Sequence, residues 1–175
     1  MERLVSTTTF GVRDDVRDAL GRAGCHTFDA LMHRDIGPPF KRKPSLDIHR
    51  LTLPDGSPCF LKRSHPRPLA AEARRLFRWL RRGLRPHTEA FHAKLAADAL
   101  GPLGFDTMNI LAWGERRLLG IIPRRGLVLS RAVDGPDAAQ VFRSGTCDQR
   151  RLVMNAAGEL LGRLHAHGLC VTIRR

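Results

Sequence analysis

The sequence predicts an α+β fold: a mixed sheet with helices packed on it, then a helix that belongs to something else. Three observations carry this. "DIHRLTL", "PDGS" and "PCFLKR" in succession read as a β-hairpin. Two stretches with helical spacing follow, "LAAEARRLFRWLRRGLR" and "HTEAFHAKLAADALGPLG". After them come three short apolar runs and one last amphipathic helix, so strands flank the inserted helices and share a sheet with them.

The elements run as follows. "RDDVRDALGRAG" is a short helix, capped by Asp14 or Asp15 and ended by Gly24, in an N-terminal helical extension spanning residues 1–27. "FDALMH" reads as a short strand, and "RDIGPPFKRKPS" as a basic loop broken by Pro38, Pro39 and Pro44. In "DIHRLTL", Ile48, Arg50 and Thr52 share one face and His49, Leu51 and Leu53 the other. Pro54 presets φ for the turn, Gly56 takes positive φ, and "PCFLKR" returns. In the next helix Arg74, Arg75, Arg78, Arg81, Arg82 and Arg85 form one face, opposite Ala73, Leu76, Phe77, Trp79, Leu80 and Leu84. Pro86 ends it, Thr88 caps the second helix, and Gly101-Pro102 stops that one. "MNILAWG", "RRLLGII" and "GLVLSRAV" are three short strands, split at Gly114-Glu115 and between Pro123 and Gly126. A polar linker, "DGPDAAQVFRSGTCDQ", leads to "RLVMNAAGELLGRLHAHG", whose buried face is Val153, Ala157, Leu160, Leu161 and Leu164.

Composition bounds the partners. Thirty Lys and Arg against 17 Asp and Glu give a formal charge of +13. A pI near 11.3 points to polyanions: nucleotide phosphates, an anionic membrane surface, or nucleic acid. Nucleic acid is disfavoured, because the chain has no recognisable motif for it and few aromatic residues. Cys25, Cys59, Cys147 and Cys170 form no C-x-x-C pair, which argues against a zinc ribbon and fits reduced thiols in a cytoplasmic protein. No signal peptide is visible, and no apolar run is long enough to span a membrane. His165 and His167, two apart on a helix, point away from each other, and no metal site is expected there.

Lys62 is the residue with the clearest chemical interest. It lies late in an apolar strand, on the face it shares with Phe60. One reading is a strand-end lysine that reaches solvent. The other is a phosphate-binding lysine oriented by a helix carboxylate, either Glu72 or Glu89. The arginine face likewise reads either as a solvated surface or as a contact for anionic headgroups or a phosphorylated glycan.

The order of strand-lysine, helix-glutamate, strands, and a helix ending in "LHAHG" resembles a protein-kinase-like small lobe joined to the first helix of a large lobe. More narrowly, the chain resembles the lipopolysaccharide kinase family (Kdo/WaaP type), especially heptose kinases of the lipopolysaccharide core. The similarity rests on "CFLKR", "GFDTMNILAWGER", "GLVLSRAV" and "LLGRLHAHGL", and covers residues 45–170. It implies an antiparallel sheet with inserted helices over residues 28–133. Residues 134–175 would be the hinge exit and first large-lobe helix. It implies ATP and Mg²⁺ as cofactors, a core heptose hydroxyl of lipopolysaccharide or a lipid A glycolipid as acceptor, and a place in the cytoplasm at the inner face of the inner membrane. Lys62 would bind the α/β-phosphates and pair with Glu89, with Glu72 in reserve. Ser130, Arg131 and Ala132 would form the hinge, their backbone meeting the adenine edge.

The sequence departs from that family in three places. Arg131 stands where the family tends to carry an acid. The segment before the hairpin has one glycine, Gly37, so no glycine-rich phosphate loop is evident. Val171, Thr172 and Ile173 occupy the expected His-Arg-Asp slot, and the Mg²⁺ ligands that should follow are missing. The expectation is therefore a truncated, catalytically incomplete kinase relative that at most binds nucleotide. A non-enzymatic basic module on anionic surfaces is the alternative, and a fragment with an exposed final helix is a third reading.

Overall fold

In a computed structural model, the structure describes residues 6–81, 85–133 and 135–169. The chain forms two compact units, residues 1–132 and 133–175.

The first unit is α+β. Its six strands are β1 (Ser6–Val12), β2 (Lys41–Lys43), β3 (Leu46–Thr52), β4 (Pro58–Ser64), β5 (Ile110–Leu118) and β6 (Ile122–Arg131). They form one sheet in the order β1-β5-β6-β4-β3-β2, antiparallel at every pairing. Helices α1 (Asp14–Arg22) and α2 (Phe28–His33) fall between β1 and β2. Helices α3 (Leu69–Leu80) and α4 (Glu89–Leu100) are inserted between β4 and β5.

The hairpin forms as its sequence dictates. Leu51 and Leu53 on β3 and just beyond it, with Cys59 and Leu61 on β4, face a core shared with Leu111, Leu127 and Leu129. Gly56 turns at φ 81°. Val16 and Leu20 of α1, with Phe28, Leu31 and Met32 of α2, cover this face. Residues 6–27, expected as a separate extension, thus contribute a strand and a helix to the main core.

Several expected elements differ. "FDALMH" is helix α2, not a strand: Thr27 Oγ1 accepts from the Ala30 amide, and Phe28, Leu31 and Met32 share one buried side at helical spacing. The basic loop carries the short strand β2. The three expected strands after α4 are two, β5 and β6. Their turn lies at Leu119 and Gly120, both at positive φ (53° and 70°), the backbone a tight hairpin requires. Gly114 and Gly126, read as breaks, are ladder residues where another element comes close. A side chain at Gly114 would meet Phe28 at 2.7 Å, and one at Gly126 would meet Thr88 Oγ1 at 2.0 Å.

Helix α4 lies on the other sheet face, and three bonds anchor its start. Thr88 Oγ1 accepts from the Phe91 amide at 3.3 Å. Ser64 Oγ of β4 accepts from the Ala90 amide at 2.9 Å. Glu115 of β5 accepts from the Thr88 amide at 2.6 Å. Helix α3 meets α4 through the stacked rings of Trp79 and His92. Its arginine face is exposed at Arg74 and Arg81, with Arg85 exposed beyond its end. The side chains of Arg75 and Arg78, and all of Arg82, lie outside the described residues. Phe77, expected in the core, is 64% exposed under the Arg81 guanidinium.

In the second unit, the expected linker contains helix α5 (Ala138–Ser144), and α6 spans Cys147–Ala166. A capping box between Thr146 and Gln149 starts α6. Of its expected buried face, Ala157, Leu160 and Leu161 are exposed, and Val153 and Leu164 are half-buried. Val171, Thr172 and Ile173 lie outside the described residues. No helix among the described residues is long and apolar enough to cross a membrane.

Candidate functional site

Lys62 sits in β4 between Ile48 of β3 and Val128 of β6. Strand alternation turns it away from the Cys59–Leu61 core and toward the α4 side, where Ser64 also points. It is half-buried. Burial pushes its ammonium below the ordinary lysine range; Glu89 opposes that shift and Lys43 reinforces it.

Glu89 opens α4, where the helix N-terminus favours a carboxylate. Its direct ion pairs are not with Lys62. They go to Lys43 Nζ of β2 at 3.8 Å and to Arg67 Nη2, three residues beyond β4, at 3.9 Å. The expected Lys62–Glu89 pair is therefore an electrostatic neighbourhood, because Lys43 and Arg67 reach the carboxylate first. Glu72, the reserve candidate, is buried in α3. It lines a narrow cavity with Ser45, Arg67, Thr88, Glu89 and Arg124, so both candidate carboxylates meet at one corner.

The corner is basic and built. Arg67 Nε donates to Ser45 Oγ at 2.9 Å, and Arg124 Nη1 donates to the Arg67 carbonyl at 2.9 Å. An open cleft of about 570 Å³ adjoins it, lined by Arg42, Lys43, Pro44, Leu46, Asp47 and His65. Asp47, the single carboxylate among the described lining residues, meets His65 Nε2 at 2.6 Å through Oδ2, while its Oδ1 is buried with no hydrogen-bond partner among the described residues.

Ser130 and Arg131 end β6 and Ala132 follows it, and the backbone there is partly used. The Arg131 amide donates to the Asn109 carbonyl and the Ala132 amide to the Pro58 carbonyl, both at 2.9 Å. Neither N–H is turned out for an adenine edge. The reason is topological: β6 is a central strand, and its end is still paired on both sides.

Sequence reasoning missed Lys43, Arg67 and Glu115. A basic run before a hairpin ("KRKPS") and an arginine between two prolines ("HPRP") were the available signals for the first two. Glu115, only 2% exposed, is a buried charge where β5 passes from its apolar half to Arg116 and Arg117. It holds Arg117 Nη2 at 2.6 Å and His87 Nδ1 at 3.1 Å in addition to the Thr88 amide.

Comparison with protein-family models, curated proteins and solved structures found no match for this chain.

Proposed function

We propose that the first unit is a nucleotide-binding, protein-kinase-like small lobe of lipopolysaccharide-kinase type, with Lys62 as its phosphate-binding lysine. The observation that carries this is the placement of Lys62: half-buried, on the sheet face that α4 covers, within electrostatic reach of the glutamate opening that helix. Protein kinases place a strand lysine and a helix glutamate in this relation. The antiparallel sheet, with two helices between the lysine strand and the next strand, supports the same reading. The family acceptor, a core heptose of lipopolysaccharide, belongs to the proposal by resemblance alone. The function proposed is nucleotide binding.

Isothermal titration with ATP and Mg²⁺ tests the reading. ATP should bind, and Lys62→Met should abolish the heat while leaving the circular dichroism unchanged. A folded wild-type protein that gives no heat would remove the nucleotide function.

A second reading has one observation of its own. Phe77 projects from α3 with Arg81 over its ring and Arg74 exposed nearby in sequence, an arrangement suited to an anionic bilayer surface. Binding to vesicles containing anionic lipid, lost in Phe77→Ser with Arg74→Gln and Arg81→Gln, would favour it over the nucleotide reading.

A further inference from the structure

We infer that Lys43, Lys62 and Arg67 form a three-cation clamp for a polyphosphate, which does by charge what a glycine-rich loop does with backbone amides. The identity of the ligand as a nucleotide rests on the function proposed above; the clamp itself rests on the geometry of this corner.

Four features carry it. First, the cations come from three separate places in the chain, and all of them act on one carboxylate. Lys43 and Arg67 pair with Glu89 directly, and Lys62 is coupled to both Glu89 and Lys43. Arg124 joins Arg67 on the cavity that Glu89 and Glu72 also line, so four basic side chains gather at this corner against two carboxylates. The corner therefore keeps excess positive charge after its internal pairing.

Second, the pairs are loose. At 3.8 and 3.9 Å they are longer than a charge-assisted hydrogen bond. Glu89 is 39% exposed, so it holds the cations near without saturating their donors. A phosphate oxygen, which accepts at shorter range, can compete for them.

Third, the turn from β2 to β3, residues 43–46, is what brings Lys43 here. Ser45 in that turn fixes Arg67 through its hydroxyl and accepts the His65 amide through its carbonyl. The turn and the segment after β4 are thus tied into one wall, with cations on both sides of the tie.

Fourth, there is room. The adjoining cleft of about 570 Å³ is lined by Arg42, Lys43 and His65 and is within the usual range for small-ligand sites. Its carboxylate, Asp47, is largely buried, at 7% exposure, and gives Oδ2 to His65.

The test is calorimetric titration at low salt with sodium tripolyphosphate, AMP, ADP and ATP. Affinity should rise with phosphate number, and tripolyphosphate alone should bind. Lys43→Met and Arg67→Met should each weaken tripolyphosphate at least fivefold. Glu89→Gln should strengthen it severalfold, because the resident anion is gone. Arg74→Gln with Arg81→Gln, on α3, should leave it within twofold.

The clamp is refuted if Lys43→Met and Arg67→Met stay within twofold of wild type, if Glu89→Gln weakens binding, or if the α3 pair matters as much as the clamp residues. ATP binding that depends on Lys62 but ignores Lys43 and Arg67 would refute the clamp and leave the nucleotide reading standing. Tripolyphosphate binding lost in the clamp variants, with no gain from an adenosine moiety, would support the clamp and remove the nucleotide reading.

Discussion

Replacing Glu115 by alanine should cost the first unit about 4 kcal/mol of stability, built from a pair loss of about 3 and an unsatisfied amide of about 1. The carboxylate is 2% exposed and has three partners: the Thr88 amide, the Arg117 guanidinium and the His87 ring. Removing one member of a buried ion pair typically costs about 3–5 kcal/mol, because the survivor is left uncompensated. The Arg117 side chain is 18% exposed, so water reaches it and the lower end of that range applies. The Thr88 amide then loses its acceptor, and an unsatisfied buried donor adds about 1 kcal/mol. Urea unfolding followed by the fluorescence of Trp79 and Trp113, the chain's two tryptophans and both in the first unit, reads the loss. With a slope of about 2 kcal/mol per molar, the midpoint should fall by about 2 M. Glu115→Gln keeps an acceptor for the amide and should lose about half as much. Glu115→Leu with Arg117→Met removes both charges and should recover most of the loss. A midpoint shift under about 0.5 M for Glu115→Ala, or a double variant no better than the single, would show that this knot does not anchor α4.

Two further outcomes follow from the same end of α4. Gly126→Ala places a carbon on Thr88 Oγ1 and should cost about 2–4 kcal/mol through overpacking and a displaced helix cap; adding Thr88→Gly should restore part of it, as a double-mutant cycle in urea would show. His87 is held below the ordinary imidazole range chiefly by burial, with Glu115 opposing and Arg117 and Arg85 reinforcing. The unfolded chain therefore binds more protons below about pH 6.5, so stability should rise with pH up to that point and level off above it. His87→Gln, which removes the titrating ring, should lose less stability than wild type between about pH 7.5 and pH 5; equal losses would mean that His87 does not titrate out of step with the unfolded state.

How legible the molecule was depended on how local its signals are. The β3–β4 hairpin could be read directly, because alternation, a proline and a glycine at φ 81° all lie within eighteen residues of each other (46–63). The Thr88 cap and α4 were equally local. Strand β1 was invisible: "STTTFGV" is an edge strand, mostly exposed, with no strong alternation to betray it. Helix α2 is six residues long, too short for a helical period to stand out from a strand. Gly114 and Gly126 misled because a glycine that breaks a strand and one that makes room for Phe28 or Thr88 look the same in one dimension. At the site, Lys62 and Glu89 were found from their positions along the chain. Their direct partners were not, because Lys43 and Arg67 reach Glu89 only once the sheet has closed.

Strand β2 has a consequence beyond the site. It is three residues long, Lys41-Arg42-Lys43, and it forms one outer edge of the sheet with all three residues exposed. An open edge invites the backbone of a second molecule, and like charges on both would keep two such edges apart. A polyanion that neutralises those charges would lift that barrier. Concentrated protein saturated with polyphosphate would then be the state in which copies of this chain are least protected from joining edge to edge, so loading the site and staying dispersed pull in opposite directions.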